Sequence, residues 1–137
     1  MSIFDRKEES FTKENNEIRK ERPGTILKKK SMMQKITTFV DDHLQEQLTL
    51  KRIAEYCGVS VSTVTQMFQH QTDMTFHSFV TMRRMEMARK LIEKGIPLEQ
   101  VGKQVGYRDH STFYRAFRQY FQKSPREYRN SLAENEA

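Results

Sequence analysis

Two stretches of the chain repeat one pattern and decide its fold. Residues 50–71 read LKRIAEYCGVSVSTVTQMFQHQ, and residues 98–121 read LEQVGKQVGYRDHSTFYRAFRQYF. A shift of 48 places Leu50, Ile53, Ala54 and Gly58 on Leu98, Val101, Gly102 and Gly106. A shift of 49 places Val64, Met67 and Phe68 on Phe113, Ala116 and Phe117. Each copy is therefore predicted to be a short helix, a glycine-containing turn and a second helix, the helix-turn-helix arrangement.

The residue types within each copy predict which side of its second helix is buried. Small residues at Ala54 and Gly102 let the two helices cross closely, and Gly58 and Gly106 can adopt the positive φ that the turn requires. The apolar positions of each second helix pack inward, so its polar positions must face outward. These outward positions are Ser62, Thr63, Thr65, Gln66 and Gln69 in the first copy and His110, Ser111, Thr112, Arg115 and Arg118 in the second.

The remainder of the chain is also helical in pattern. Ser31 and Gln34 have capping-box spacing before a stretch whose apolar residues, from Met33 to Leu44, recur three and four positions apart. A long amphipathic stretch, 76–93, joins the two copies, and Ser124-Pro125 begins a last helix. We predict an all-α fold of about seven helices. Its parts are a flexible charged arm (1–30), an N-terminal subdomain (31–75), a linker helix (76–93), a C-terminal subdomain (94–130) and a tail (131–137).

The arm differs in composition from the rest of the chain. Residues 1–30 hold nine basic and six acidic side chains but only six large apolar ones, too few to form a core. The run 28–30 consists of three lysines. We favour a solvated linker for this segment, with phosphate contact by the lysines as the alternative.

Charge and composition narrow the class of protein. Lys and Arg number 24 against 18 Asp and Glu, a net charge of +6, and the pI is about 9.5. Such a chain is attracted to polyanions. Cys57 is the single cysteine, so no disulfide can form within the chain, and no apolar run is long enough to span a membrane. The N-terminus lacks the apolar segment of a secretory signal. We therefore expect a cytoplasmic location and no membrane partner.

The residue types on the outward faces of the two second helices indicate which kind of polyanion the chain binds. A membrane-binding helix would show large apolar residues opposite its cations. These faces instead carry hydroxyls, amides and arginines. Gln and Arg side chains can contact adenine and guanine edges bidentately, and Ser and Thr can reach bases or phosphates. Two such faces at equivalent places in a repeat predict a protein that binds double-stranded DNA.

Three segments resemble the DNA-binding domain of the AraC/XylS family of bacterial transcription regulators. They are residues 48–60, residues 84–92, and the group formed by Val105-Gly-Tyr107, 113–117, Tyr120-Phe121 and 124–129. The resemblance covers residues 31–130. It implies two recognition helices in successive major grooves, roughly 34 Å apart, in a bacterial regulator. It assigns base contacts to Ser62, Thr65, Gln66, His110, Ser111, Thr112 and Arg115.

Backbone phosphates are expected to be contacted from the same helices and from the start of the last helix. The candidate side chains are Gln69, Arg118, Lys123 and Arg126. Backbone amides near Ser124-Pro125 are a further candidate, because the amides at the start of a helix bind anions. Ordinary solvated surface charge is the alternative for the cations.

The chain departs from the family pattern in ways that suggest unequal units. Asp73 and Gln122 stand where the family usually has glycine, so a positive φ there would be strained. Gly102 replaces an alanine, which is expected to loosen its helix. Gln66 stands where many members carry arginine. We therefore expect the C-terminal unit to anchor the protein on DNA, and the N-terminal unit to hold DNA less tightly.

Other chemistries find little support in the sequence. The four histidines have no metal-ligand spacing, and no phosphate loop, nucleophile elbow or paired-carboxylate motif is present. We expect no enzyme activity, cofactor, metal or small-molecule effector, and no room for a separate effector domain, as in the short family members. Cys57 and the methionines at 82, 85 and 87 are expected to fill the core. The alternative function is a protein-interaction module of the same fold that acts on RNA polymerase or another regulator and binds DNA weakly.

Overall fold

A computed structural model describes residues 31–136 of the chain. Residues 1–30, where the sequence predicts a charged arm, lie outside the described residues, as does residue 137. Residues 31–136 form seven α-helices and no strand, which confirms the all-α prediction. The helices are α1 (Met32–Asp42), α2 (Leu50–Cys57), α3 (Val61–Gln71), α4 (Phe76–Glu93), α5 (Leu98–Gln104), α6 (His110–Phe121) and α7 (Pro125–Glu136).

The described residues divide into two compact units. The N-terminal unit comprises residues 31–42 and Thr49–Phe79, and the C-terminal unit comprises His43–Leu48 and residues 80–136. The division falls inside α4, which the sequence analysis treated as a separate linker. In the N-terminal unit, the Phe68 ring meets the rings of Phe76 and Phe79 at 5.8 and 5.3 Å between centroids. Further along α4, Met85 and neighbouring residues join the C-terminal core. Each end of α4 is therefore part of a core.

The N-terminal unit begins at the predicted capping box. The Gln34 amide nitrogen donates to Ser31 Oγ, and the Ser31 nitrogen donates to Gln34 Oε1, each at 3.1 Å. This pair satisfies two donors that the first turn of a helix leaves free. Thr49 caps α2, and Gly58 ends it at a φ of 71°. The core consists of Met33, Ile36, Val40, Ile53, Ala54, Val64, Met67 and Phe68, with Phe76 and Phe79 from α4.

The apolar pattern of α1 extends further in the sequence than the helix does in the structure. We expected the face to continue to Leu44, but α1 ends at Asp42. Residues 43–48 instead belong to the C-terminal unit, where Leu44 is only 4% exposed. Arg84 Nη2 donates to the Glu46 carbonyl oxygen at 3.0 Å and holds this segment. Burial of the Leu44 side chain in the C-terminal unit favours ending α1 at Asp42 over extending the helix by another turn. Burying a leucine stabilises the folded state by about 1.5–3 kcal/mol.

The core of the C-terminal unit is built from α4, from α5 with the residue that ends it, and from α6. Its buried members are Met85, Ala88, Ile92, Val101, Val105, Phe113 and Phe117. Gly102 lies directly against the Phe113 ring, since a Cβ there would be 3.0 Å from two ring carbons. Gly102 thus lets α5 approach α6 closely, as its small size predicted, and α5 is helical from Leu98 to Gln104. Met82 is buried as well, so two of the three methionines predicted to fill the core are fully within it.

The two recognition helices end differently. Gln122 follows α6 in the left-handed region at a φ of 66°, and it is the single non-glycine residue with positive φ among residues 31–136. The same strain predicted at Asp73 is absent. There the chain turns at buried Thr72, whose Oγ1 donates to the Phe68 carbonyl oxygen at 2.8 Å and accepts from the Met74 nitrogen at 3.0 Å. The hydroxyl of Thr72 therefore fixes this turn without a positive φ at Asp73.

Helix α7 extends through most of the segment predicted to be a tail. It runs to Glu136, and Leu132 packs against the C-terminal core. A capping box begins it, because the Glu127 nitrogen donates to Ser124 Oγ and the Ser124 nitrogen donates to Glu127 Oε1, each at 3.1 Å. Tyr128 also packs against this core and Pro125 is fully buried, so apolar contacts along the helix hold it there although the surrounding residues are polar.

Candidate nucleic-acid interface

Helix α3 presents a neutral polar face. Ser60 caps it, with Ser60 Oγ accepting from the Thr63 nitrogen at 3.1 Å. Val64, Met67 and Phe68 are buried on one side of the helix. The predicted contact residues lie on the other side, at helical spacing. Ser62, Gln66 and Gln69 are exposed, and Thr65 is half-buried. This face offers hydroxyls and amides, which can donate to and accept from base edges.

The first residue of α3 was missed by the sequence analysis. Val61 is one of the few large apolar side chains that are exposed, with 41% of its surface accessible. It follows the cap, where the side chain cannot reach the core. The signal was available in the repeat, since position 61 is the counterpart of His110 under the shift of 49 residues. Its methyl groups can contact the methyl group of thymine, the apolar feature of the major groove.

Helix α6 presents a face with more donors and more charge. Its core positions, Phe113 and Phe117, have no exposed surface. The outward residues His110, Ser111, Thr112, Arg115 and Arg118 are all exposed, and the His110 ring lies 5.8 Å from the Tyr114 ring. An arginine side chain can donate two hydrogen bonds to the edge of one guanine. The second copy of the repeat therefore carries two such groups where the first carries Gln66 and Gln69.

Asp109 caps α6 with an exposed carboxylate. Its Oδ1 accepts from the Thr112 nitrogen at 2.8 Å, and both of its oxygens accept from Thr112 Oγ1 at 2.9 Å. These bonds, the backbone one first, lower the pKa of Asp109, with a smaller contribution from Arg115. The counterpart in α3 is neutral, because Ser60 Oγ and Thr63 Oγ1 share a hydrogen bond of 2.9 Å in which either atom can donate.

The cations that flank α6 are solvent-exposed at the start of α7. Lys123 and Arg126 are exposed, as predicted for phosphate contacts. The capping box occupies only part of the backbone amides proposed beside them, because it does not involve the Arg126 nitrogen. The Ser124 and Glu127 nitrogens bond within the capping box, and Pro125 has no N–H. The Glu127 carboxylate lies near Arg118 and Lys123, which contribute to lowering its pKa after the bonds from Ser124. Phosphate contact at this end is therefore open to the side chains and to the Arg126 amide, but not to the Ser124 or Glu127 amide.

The turn before α6 is held by a half-buried arginine, Arg84. Gly106 has a φ of 105°, and the Tyr107 nitrogen donates to the Gly102 carbonyl oxygen at 2.9 Å. The Arg84 guanidinium lies 5.9 Å from the centre of the Tyr107 ring. Burial lowers the pKa of Arg84 and raises that of Tyr107. In the sequence, Arg84 was assigned only to a segment that resembles the family. No neighbouring residue indicates that its side chain reaches residues 46 and 107.

Charge is distributed unequally between the units. Among the described residues, the N-terminal unit has three Lys and Arg against four Asp and Glu. The C-terminal unit has twelve against eight. The described part of the N-terminal unit therefore offers phosphates only local contacts, whereas that of the C-terminal unit, with four excess positive charges, is attracted to DNA at a distance. The asymmetry of the two recognition helices thus extends to the described parts of both units.

Metal-binding groups and membrane-spanning helices were sought among residues 31–136. No group of three His, Cys, Asp or Glu side chains among residues 31–136 could hold a metal ion. Cys57 is half-buried, and burial raises the pKa of its thiol. None of the seven helices is both long enough and apolar enough to cross a bilayer.

Comparison with known proteins gives consistent matches. The family model described as Helix-turn-helix domain matches residues 53–131. The multiple antibiotic resistance protein MarA of Escherichia coli (strain K12) is 28% identical over 103 residues, which are 74% of this chain and 81% of MarA. The probable transcriptional regulator LumQ of Photobacterium leiognathi is 30% identical over 94 residues, which are 68% of this chain and 38% of LumQ. The chain thus spans less than half of that relative.

A solved structure with the same arrangement of helices extends these matches. It is the crystal structure of a DNA-binding transcriptional dual regulator from Escherichia coli K-12, which is 26% identical to this chain. The TM-score is 0.70, and the match covers 78% of this chain and 96% of that one.

Proposed function

The chain belongs to the AraC-type helix-turn-helix family of transcription regulators, and we propose that it reads double-stranded DNA through α3 and α6. Members of this family are regulators rather than enzymes. The DNA of a bacterium lies in its cytoplasm, which is therefore the proposed location. The two recognition helices are proposed to enter successive major grooves, as two such units on one side of a duplex must.

The observation that carries the proposal is the exposed face of α6. Arg115 and Arg118 lie three positions apart on it, next to Ser111, in a unit with net positive charge. We assign Arg115 to a guanine edge and Arg118, Lys123 and Arg126 to phosphates. Arg115 and Arg118 also extend from a helix whose buried side is anchored by Phe113 and Phe117, so their backbone positions are rigid.

Helix α3 is proposed to adjust specificity. Ser62, Thr65 and Gln66 are assigned to base edges, and Gln69 to a phosphate. Gln66 suits adenine, which it can contact bidentately. Because α3 carries no Arg or Lys, this unit gains little from releasing counterions and depends on matching bases. His110, Ser111 and Thr112 complete the proposed base contacts on α6.

Selection from a random-sequence pool, followed by mobility-shift titrations at two salt concentrations, tests the function. We expect two half-motifs separated by about one helical turn, and an affinity that falls steeply with salt. Arg118→Ala should reduce the slope of log affinity against log salt by about one. Lys94→Ala removes the same charge outside α6 and its flanks and serves as the matched control. A pool without any enriched sequence would contradict the proposal.

A second candidate follows from the charge of the N-terminal unit. With four acidic against three basic residues described, this unit is better suited to a protein surface than to phosphates. The candidate is a module that contacts RNA polymerase or another regulator while the C-terminal unit holds DNA weakly. Purified polymerase and the chain, mixed with and without the selected duplex, distinguish the two. Binding to polymerase without any selected sequence would favour the second candidate.

A further inference from the structure

We propose that Asp109 and Thr112 form a specificity-determining pair, which selects adenine or cytosine over guanine or thymine at the base facing the start of α6. The inference rests on the proposed function, since it concerns how α6 reads DNA. Asp109 is not among the contact residues that the sequence predicted. Its role follows from the hydrogen bonds that it makes with Thr112 and from the exposure of both side chains.

The direction of the bonds between the two residues is fixed. An ionised carboxylate has no proton, so it can only accept. Both Asp109 oxygens lie 2.9 Å from Thr112 Oγ1, and therefore the single hydroxyl proton of Thr112 is directed at Asp109. The fully exposed carboxylate stays ionised, because the bonds from Thr112 lower its pKa. Thr112 can then offer only lone pairs to a ligand.

At the start of α6, the Asp109 and Thr112 side chains consequently present only acceptors. A recognition helix places its N-terminal residues closest to the base edges. In the major groove, adenine and cytosine present amino groups at N6 and N4, whereas guanine and thymine present carbonyl oxygens at O6 and O4. An amino group can donate to Asp109 or Thr112. A carbonyl oxygen that faces this pair meets only acceptors and loses its water without gaining a partner from it.

The first copy of the repeat supplies an internal contrast. In α3 the equivalent pair is Ser60 and Thr63, joined by a bond of 2.9 Å in which either hydroxyl can donate. That pair can rearrange to give a donor or an acceptor to the base. Ser and Asp are equally good helix caps, so exchanging them alters the hydrogen-bonding character of the helix start without removing the cap.

The experiment measures the affinity of the full chain for its selected duplex and for variants with each base replaced in turn. For the unaltered chain, one position facing the start of α6 should hold adenine or cytosine. Replacing it by guanine or thymine should weaken binding about 5- to 100-fold. In Asp109→Ser and Asp109→Asn, this penalty should fall to about threefold or less, with the other positions unchanged.

The reciprocal variant tests the inference without altering α6. Ser60→Asp should create a new penalty of similar size against guanine and thymine at a position facing α3. Thermal unfolding of each variant within about 2 °C of the parent establishes that the caps are retained. Asp109→Asn should also bind unrelated DNA about twofold more tightly, because one charge that repels phosphates is gone.

Two results would overturn the inference. The first is an unchanged pattern of base penalties in both Asp109 variants, and the second is a guanine or thymine at the selected position of the parent. Either can occur while sequence-specific binding persists, which leaves the proposed function standing. A parent chain that selects no sequence at all would overturn both.

Discussion

Replacing Gly106 with alanine should unfold the C-terminal unit far more readily than any comparable change in the N-terminal unit. A Cβ at position 106 would lie 2.1 Å from the Leu44 carbonyl oxygen, whereas ordinary contacts are 3.4–4 Å. The backbone at Leu44 would have to withdraw by about 1 Å. That movement would weaken the bond from Arg84 to the Glu46 carbonyl oxygen and expose part of Leu44, which is buried in this unit.

The expected loss can be assembled from these contributions. An alanine at positive φ costs about 1–2 kcal/mol, a hydrogen bond about 1 kcal/mol, and partial exposure of a leucine about 1–2 kcal/mol. Gly106→Ala should therefore lower the free energy of unfolding by about 3–5 kcal/mol. Gly58→Ala is the matched control, because Gly58 also has positive φ, at 71°, but a Cβ there would meet nothing within 4 Å. It should cost only the backbone strain, about 1–2 kcal/mol.

Urea unfolding followed by circular dichroism measures both values, with separate transitions fitted if the two units unfold independently. The reasoning depends on the approach of Leu44, not on the glycine alone. If the two variants lose stability equally, within about 0.5 kcal/mol, which is close to the error of such extrapolations, the packing of residues 43–48 against Gly106 is not what holds this unit together.

Three further predictions concern the recognition helices. Arg115→Ala should weaken DNA binding about tenfold or more, and Gln66→Ala only a few fold, in titrations at one salt concentration; equal losses would contradict the unequal roles of the units. Gln122→Gly should raise the free energy of unfolding by about 1 kcal/mol because Gln122 has a φ of 66°, and a thermal melt with no increase would show that this residue is not strained. Replacing one thymine of the α3 half-site by deoxyuridine should weaken binding about fourfold through the lost methyl contact with Val61. Val61→Ala should be insensitive to that replacement, and the same loss in both proteins would exclude the contact.

Much of the fold was predictable because it depends on signals a few residues apart. Helix α4 has the bounds that the sequence predicted, and the cap at Ser31 occurs as expected. A cap is a contact between residues three positions apart, and a helix face repeats every three or four residues. The outward residues of both recognition helices were found in the same way, by assigning the apolar positions to the core.

What was mispredicted depends on contacts between distant residues. The end of α1 at Asp42 and the course of α7 beyond residue 130 each reflect a partner far along the chain. Asp73 was expected to be strained, but the buried hydroxyl of Thr72 gives the turn another conformation. Val61 was not predicted because the apolar residues of α3 were assigned to the core. An apolar residue at the start of a helix can nevertheless remain exposed to solvent.

The sequence by itself determined that this chain has two helix-turn-helix units of unequal charge, because composition and short-range periodicity are properties of the residues alone. Only the tertiary structure decided that residues 43–48 belong to the C-terminal unit and that Arg84 and Gly106 fix the turn before α6. It also decided that the one proton of the Thr112 hydroxyl is directed at Asp109. A packing partner and the direction of a hydrogen bond depend on where the residues lie in space. The same local sequence pattern is compatible with several such arrangements.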